Sequence, residues 1–323
     1  MIVKERKYPR TLQKLDALLK RLHSQHPKIP LIQEEWKKRK AGYKGEASID
    51  YPLSFLDPSE YFIFHDLRLQ DTNSYFQIDT LILSKKFFLI IEVKNLAGTI
   101  FFDSVFNQLI QLKDGQETAF SDPTIQIQRQ ENQLKKWLVD KGIPLVPISS
   151  IVVISNDRTI IKSSPEDKYL NEKVIHRHLL PQKIDKIKTS KIGNSLSDKQ
   201  TKKVIRLLKK HHNEANYSIL KRFNLTKEDL LPGVFCGNCD YAPLERRHGT
   251  WFCPRCLIKD SKAHLQALKD YELLISPTIS NQELRSYLCI PSTYVASRIL
   301  KAMNLPQIGN NKGRKYTLTS PKK

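Results

Sequence analysis

Three residue types capable of phosphoryl chemistry stand in an otherwise apolar stretch. They are Asp79 in Gln77-Ile-Asp79-Thr-Leu-Ile-Leu83, and Glu92 and Lys94 in Phe87-Phe-Leu-Ile-Ile-Glu92-Val-Lys94. Both segments are rich in Ile, Leu, Phe and Val and read as strands. Side chains alternate faces along a strand, so Glu92 and Lys94 share one face, as do Asp79, Leu81 and Leu83. A hairpin turning at Lys85-Lys86 sets Asp79 opposite Glu92, and a longer loop would shift that pairing by one residue. Two carboxylates and an ammonium group on an apolar sheet surface must be paired or bind metal. Asp79 and Glu92, with the carbonyl of Val93, form a ligand set for magnesium or manganese, which would polarise a phosphoryl oxygen and acidify a water. Lys94 would orient that water or offset transition-state charge. The competing reading of the same spacing is a surface ion pair of Lys94 with Asp79 or Glu92 on an edge hairpin.

A second constellation is sulfur. Cys236-Gly-Asn-Cys239 and Cys253-Pro-Arg-Cys256 are separated by 13 residues. Cys-x-x-Cys is the spacing at which a tight turn lets two thiolates grip one metal, and two such knuckles around a hairpin make a four-sulfur zinc site. Four protein ligands leave no open position, so this zinc is expected to be structural. A redox dithiol pair is the other reading, and it lacks a thioredoxin-like context. The hairpin's Arg246, Arg247, His248 and Arg255 suit nucleic-acid contact, although a knob that only stabilises or touches protein fits the same residues.

The elements that must position these groups follow from periodicity. Residues 11–23 and 31–50 read as helices, with Leu12, Leu15, Leu18, Leu19 and Leu22 at helical spacing. Three strands follow at 61–69, 77–83 and 87–94. Pro123 opens a helix over 124–138, and Ser150–Ser155 is an apolar run of the kind buried on both faces of a sheet. Helix, strands, helix, strand is an α/β order. Ser197–Lys210 reads as an amphipathic helix closing this region.

Gly45-Glu46, Gln77-Ile-Asp79, Ile91-Glu92-Val93-Lys94-Asn95 with Gly98, and Asp122-Pro123-Thr-Ile-Gln126 resemble, in order, the successive motifs of the nuclease-related domain, NERD. That family is similar in turn to the PD-(D/E)xK nucleases. The likeness extends loosely from Arg39 to Ser155. It implies a mixed sheet flanked by helices, with Glu46 on the preceding helix, Asp79 and Glu92 as metal carboxylates, Lys94 as catalytic lysine and Gln126 on the following helix. Two positions depart from the family pattern: the Ser84-Lys85-Lys86 turn lacks the usual Gly, and Asp122 stands where Asn often precedes the Pro. Read without the resemblance, Glu46 and Gln126 are ordinary helix residues.

Toward the C-terminus, Ser280 with Glu283 forms a capping-box signature, Cys289-Ile-Pro291 breaks the helix, and 293–304 resumes it. With strand-like residues 315–318 this resembles a helix-turn-helix with a wing. Its second helix would present Ser292, Thr293, Tyr294, Ser297, Arg298 and Lys301 to DNA, and Cys289 would be a small core residue. A helical hairpin serving assembly is the alternative. Formal net charge is +21, which calls for a polyanionic partner, nucleic acid and DNA first. The excess is spread: residues 1–40 hold 12 basic and 4 acidic side chains, and residues 181–210 hold 10 and 2. No apolar run approaches the ~20 residues that span a bilayer. The cysteine usage and the charged N-terminus suggest a cytoplasmic protein without a membrane partner, and homo-oligomerisation is left open. The expected organisation is a helical segment at 1–36, a nuclease-like domain at 37–215, a zinc ribbon at 224–258 and a helix-turn-helix or winged-helix-like unit at 276–323.

Overall fold

A computed structural model describes residues 1–72, 74–163, 167–190 and 194–318. The end of the expected C-terminal unit, 319–323, lies outside the described residues. The chain forms two compact units that cut across the expected segments: residues 1–8 join 39–215, and residues 9–38 join 216 onward. Helix α1 (Arg10–Arg21) and the first half of α2 (Ile29–Ala47), up to Lys38, therefore belong with the C-terminal half, and the rest of α2 with the first unit.

In the first unit, the principal sheet contains β1 (Ile2–Lys4), β2 (Phe62–Gln70), β3 (Tyr75–Leu83) and β4 (Phe88–Lys94). A second sheet takes β5 (Thr99–Asp103), β6 (Gln108–Lys113), β7 (Gln116–Ser121) and β9 (Ile160–Ser163), while β8 (Ile148–Ile154) and β10 (Val174–His176) complete the first. The principal order is β1-β2-β3-β4-β8-β10 and the second β7-β6-β5-β9. The hairpins β2–β3 and β3–β4 are antiparallel, whereas β1 on β2, β8 on β4 and β10 on β8 are parallel, so the sheet is mixed.

Helices α3 (Asp50–Leu53), α4 (Pro123–Asp140), α5 (Lys168–Lys173), α6 (Leu180–Ser190) and α7 (Asp198–His211) surround the sheets. Leu134, Trp137 and Leu138 of α4 and Val204 and Leu208 of α7 pack on one face with Leu81, Leu83, Phe88 and Ile90. Leu53 of α3 and Ile184 and Ile187 of α6 pack on the other with Ile82, Leu89, Ile91 and Val93. Strand β4 is thus apolar on both sides, which is why its sequence is nearly continuous Ile, Leu and Phe.

The second unit contains α8 (Ile219–Arg222), β11 (Glu245–Arg247), β12 (Thr250–Phe252), β13 (Lys259–Asp260), α9 (His264–Leu274), β14 (Thr278–Ser280), α10 (Asn281–Leu288), α11 (Thr293–Ala302), β15 (Gln307–Ile308) and β16 (Lys315–Thr317). The cysteine hairpin and the C-terminal helices, expected as separate modules, share one core. Cys236, Leu244, Trp251 and Cys253 cluster with Leu268 and Tyr271 of α9, Leu284 of α10, Ile299 of α11 and Tyr316 of β16. Neither module is large enough to bury its own apolar surface, and α9 supplies what both lack. The capping box at Ser280 and Glu283 is present, and β14, β16 and β15 form a small antiparallel sheet behind α10 and α11. Cys289 is not a core residue: it is exposed and ends α10 at φ +57°.

Helix α1 joins this unit through Arg21, whose side chain is 1% exposed. Its Nε donates to Asp270 Oδ2 at 2.9 Å and its Nη1 to the carbonyls of Leu231 and Gly233 at 3.1 and 2.9 Å. The guanidinium also lies over the rings of Phe235 and Tyr287. Removing one member of a buried pair leaves an uncompensated charge, at a cost of about 3–5 kcal/mol. Asp270→Ala should therefore speed amide exchange throughout α1, α9 and α10 while leaving β3 and β4 of the first unit protected. Unchanged exchange in α1 would show that the pair does not hold that helix.

Candidate active site and metal centre

The β3–β4 ladder runs from Leu83 opposite Phe88 to Thr80 opposite Ile91, the register that sets Asp79 against Glu92. Hydrogen bonding between the strands stops there. Phe76 and Ile78 face the same core as Leu81 and Leu83, so the strict alternation expected along β3 slips by one residue around Asp79. Asp79 consequently does not simply share a face with Leu81. Its Oδ2 accepts the Val93 N–H at 3.0 Å, so a carboxylate replaces the strand carbonyl where β3 parts from β4. On β2, the residue facing this point is Asp66, held at φ +51°.

Glu92 is 5% exposed. One carboxylate oxygen accepts from Lys94 Nζ at 2.8 Å and the other from Gln130 Nε2 at 3.0 Å. Lys94 Nζ also donates to Gln126 Oε1 at 3.0 Å. Helix α4 delivers both glutamines because Asp122 caps it, accepting the Thr124 N–H at 2.7 Å, and Pro123 fits its first turn. Gln126 and Gln130 are four residues apart and so lie on one helix face. Sequence reasoning singled out Gln126 but missed Gln130, whose amide also donates to the Gln77 carbonyl at 2.9 Å. The helical repeat from Gln126 is the signal that would have found it.

Glu46 reaches this cluster from the last turn of α2. A Cβ on Gly45 would stand 2.5 Å from Asn95 Cβ and 2.9 Å from Ser155 Oγ, so only glycine lets α2 come this close to the end of β4. The Asn95 side-chain amide donates to the Ala41 carbonyl at 2.7 Å and clamps the approach. The Glu46 carboxylate is bound by Arg6 Nη1 at 3.1 Å. Sequence reasoning had no signal for Arg6.

Burial comes first in the electrostatics, and crowding of like charge adds to it. Burial, then Glu92 and Glu46, push the Asp79 carboxyl well above the usual carboxylate range, against the Val93 N–H and Lys94. Burial and neighbouring Asp66 raise Glu46 to about 7 in spite of Arg6. His65 falls to about 3, through burial and then the charges of Arg6 and Lys4, and is neutral.

The second constellation also comes together. The ligand atoms of Cys236, Cys239, Cys253 and Cys256 all lie within 4.8 Å of one another. Sγ separations are 3.5 Å for Cys236–Cys256 and 3.6 Å for Cys239–Cys253. Tetrahedral zinc with Zn–S near 2.3 Å needs sulfurs roughly 3.8 Å apart, so the four thiols could hold zinc with little movement. Arg246 is half-buried with its guanidinium 5.0 Å from the Trp251 ring centroid, and Arg247 is exposed and paired with Glu245. Thr293, Tyr294, Arg298 and Lys301 are exposed on α11. Among the described residues no helix is long and apolar enough to cross a membrane.

Residues 41–155 match the family model of the nuclease-related domain, NERD. The match takes in Glu46, Asp79, Glu92, Lys94 and Gln126 and leaves Arg6 and the cysteine-bearing unit outside it. This region of the chain is thus nuclease-related, on a mixed α/β sheet flanked by helices. No curated protein and no solved structure gives a significant match.

Two measurements address these sites. Glu46 has a folded pKa of about 7 against an ordinary 4.5, so its protonated form is the stabilised one. That contribution is full below pH 4.5 and is lost as pH rises through about 7. Without divalent cations, wild-type stability relative to Glu46→Gln should fall by about 3 kcal/mol between pH 4.5 and 8, from denaturant midpoints. Parallel pH curves for the two proteins would refute the raised pKa.

Metal analysis of freshly purified, reduced protein should find about one zinc per chain. Because the cysteine hairpin shares its core with α9–α11, Cys236→Ser should also loosen those helices in hydrogen exchange. Protein free of zinc would remove the metal reading.

Proposed function

We propose that this protein is a metal-dependent nuclease that hydrolyses phosphodiester bonds in DNA. The observation that carries this reading is the junction of β3 and β4, where Asp79, Glu92 and Lys94 converge inside the region similar to the nuclease-related domain. Asp79, Glu92 and the Val93 carbonyl would hold magnesium or manganese. The donor set fits a hard divalent cation: all ligands are oxygen, and the buried carboxylates exceed the cations beside them. Such an ion supplies Lewis-acid polarisation of the scissile phosphoryl group and acidifies water.

The chain's own groups have distinct tasks in this reading. Lys94 carries three N–H donors, two of them engaged by Glu92 and Gln126, which fix its direction. The third serves the attacking water or the charge that develops on the phosphoryl oxygens. Gln130 holds Glu92 from the other side, so the carboxylate cannot turn toward Lys94 alone. The zinc-ribbon-like hairpin and the α10–α11 pair with its small sheet are read as DNA-holding elements. Exposed Thr293, Tyr294, Arg298 and Lys301 on one helix and Arg246 beside Trp251 support that role. Four free cysteines clustered for metal suit a reducing compartment, the cytoplasm.

Purified protein incubated with single-stranded, duplex and branched DNA should cut at least one of them only when magnesium or manganese is present. Asp79→Ala, Glu92→Ala and Lys94→Ala should each abolish cleavage while DNA affinity stays within about tenfold, because phosphate contacts elsewhere dominate binding. Equal cleavage by all four proteins would overturn the assignment. Binding without cleavage by the wild type would favour a DNA-binding regulator that keeps the nuclease fold.

A further inference from the structure

We infer that Arg6, contributed by the N-terminal segment outside the matched domain, is a positioning residue that holds Glu46 at the nuclease site. The inference rests on the nuclease reading above.

The chain reaches this place because β1 pairs parallel to β2, with Lys4 opposite Phe64, and so leaves the sheet at the end where His65 and Asp66 lie. Two residues later Arg6 turns under the site. Its side chain is 3% exposed, and a guanidinium keeps its charge in such a setting. A charge so buried must find partners in every direction. It finds them on four elements. Nη1 donates to Glu46 of α2 at 3.1 Å and lies 3.5 Å from Asp66 of β2, and Nε donates to Asp50 of α3 at 3.3 Å. Nη2 meets Thr80 Oγ1 of β3 at 3.0 Å and His65 Nδ1 at 2.9 Å.

Thr80 follows Asp79 directly, so one planar fork ties the strand that carries Asp79 to the helix end that carries Glu46. Without that fork no cation would bind Glu46 on this side, and its carboxyl would be left with only carboxylate neighbours, Asp66 beside it and Glu92 within Coulombic reach. A lysine at this position would keep the charge but lack the planar, five-donor fork whose spread reaches partners on four elements. The left-handed backbone of Asp66, uncommon outside glycine, marks the same spot as constrained.

The experiment is a double-mutant cycle on the full chain, with kcat, KM and DNA affinity measured for Arg6→Lys, Glu46→Gln and the pair. Arg6→Lys should lower kcat by about 10- to 100-fold, with KM and DNA affinity within about twofold of wild type. If Arg6 acts through Glu46, the pair should be no slower than Glu46→Gln alone. If Arg6→Lys melts below the assay temperature, Arg6→Gln with Asp50→Asn removes one charge of each sign and enters the same cycle. Wild-type turnover in the Arg6 variant, or losses that multiply in the pair, would overturn the positioning role while the nuclease reading stands. A wild type inert with both metals on every DNA would overturn the nuclease reading, and this inference with it.

Discussion

The hydrogen bond from the Val93 N–H to the Asp79 carboxylate is the contact on which the first unit's site depends. Two antiparallel strands that separate leave backbone donors without partners, and a buried orphan N–H costs about 1–3 kcal/mol. Here a side chain takes the place of the missing strand carbonyl, so β3 can diverge from β4 without that loss. The same substitution carries a negative charge into the sheet beside Glu92 and near Glu46. Everything around it answers that charge: Lys94 and Gln130 on Glu92, Gln126 on Lys94, and Arg6 below.

This arrangement also separates two kinds of support. Helix α4 provides neutral amides that orient charged groups without adding to the balance of charge. Arg6 provides a permanent cation on the side where Glu46, Asp50 and Asp66 meet. Four carboxylates thus share two direct cationic partners, Arg6 and Lys94, while Asp79 has the Val93 N–H. Burial raises the Asp79 and Glu46 carboxyls, the neighbouring carboxylates raise them further, and the two cations do not bring them back down.

The second unit solves a different problem, that of size. A cysteine hairpin and two short helices bury little alone. Packing both on α9, and pinning α1 there through Arg21 and Asp270, makes one core from segments far apart in the chain. The exposed side of α11 is then carried on a common framework with the hairpin that bears Arg246.

What the chain alone determined is the part governed by short-range rules. The β3–β4 register was legible because the turn at Lys85-Lys86, between two apolar runs, sets which residues lie opposite one another, and the observed ladder, with Leu83 opposite Phe88, keeps that pairing. The Cys-x-x-Cys pairs, the Asp122-Pro123 helix start and the Ser280 capping box are local for the same reason. The slip in alternation at Asp79, the fork of Arg6 and the grip of Gln130 were decided only by tertiary structure. Arg6 is one arginine among many in a strongly basic chain, and nothing in its neighbours marks it. Its role exists because parallel pairing of β1 with β2 carries it beneath carboxylates from α2, α3 and β2. The shared core of the second unit is of the same kind, since the apolar faces of α1, α9 and α10 do not specify their partners until the chain has brought them together.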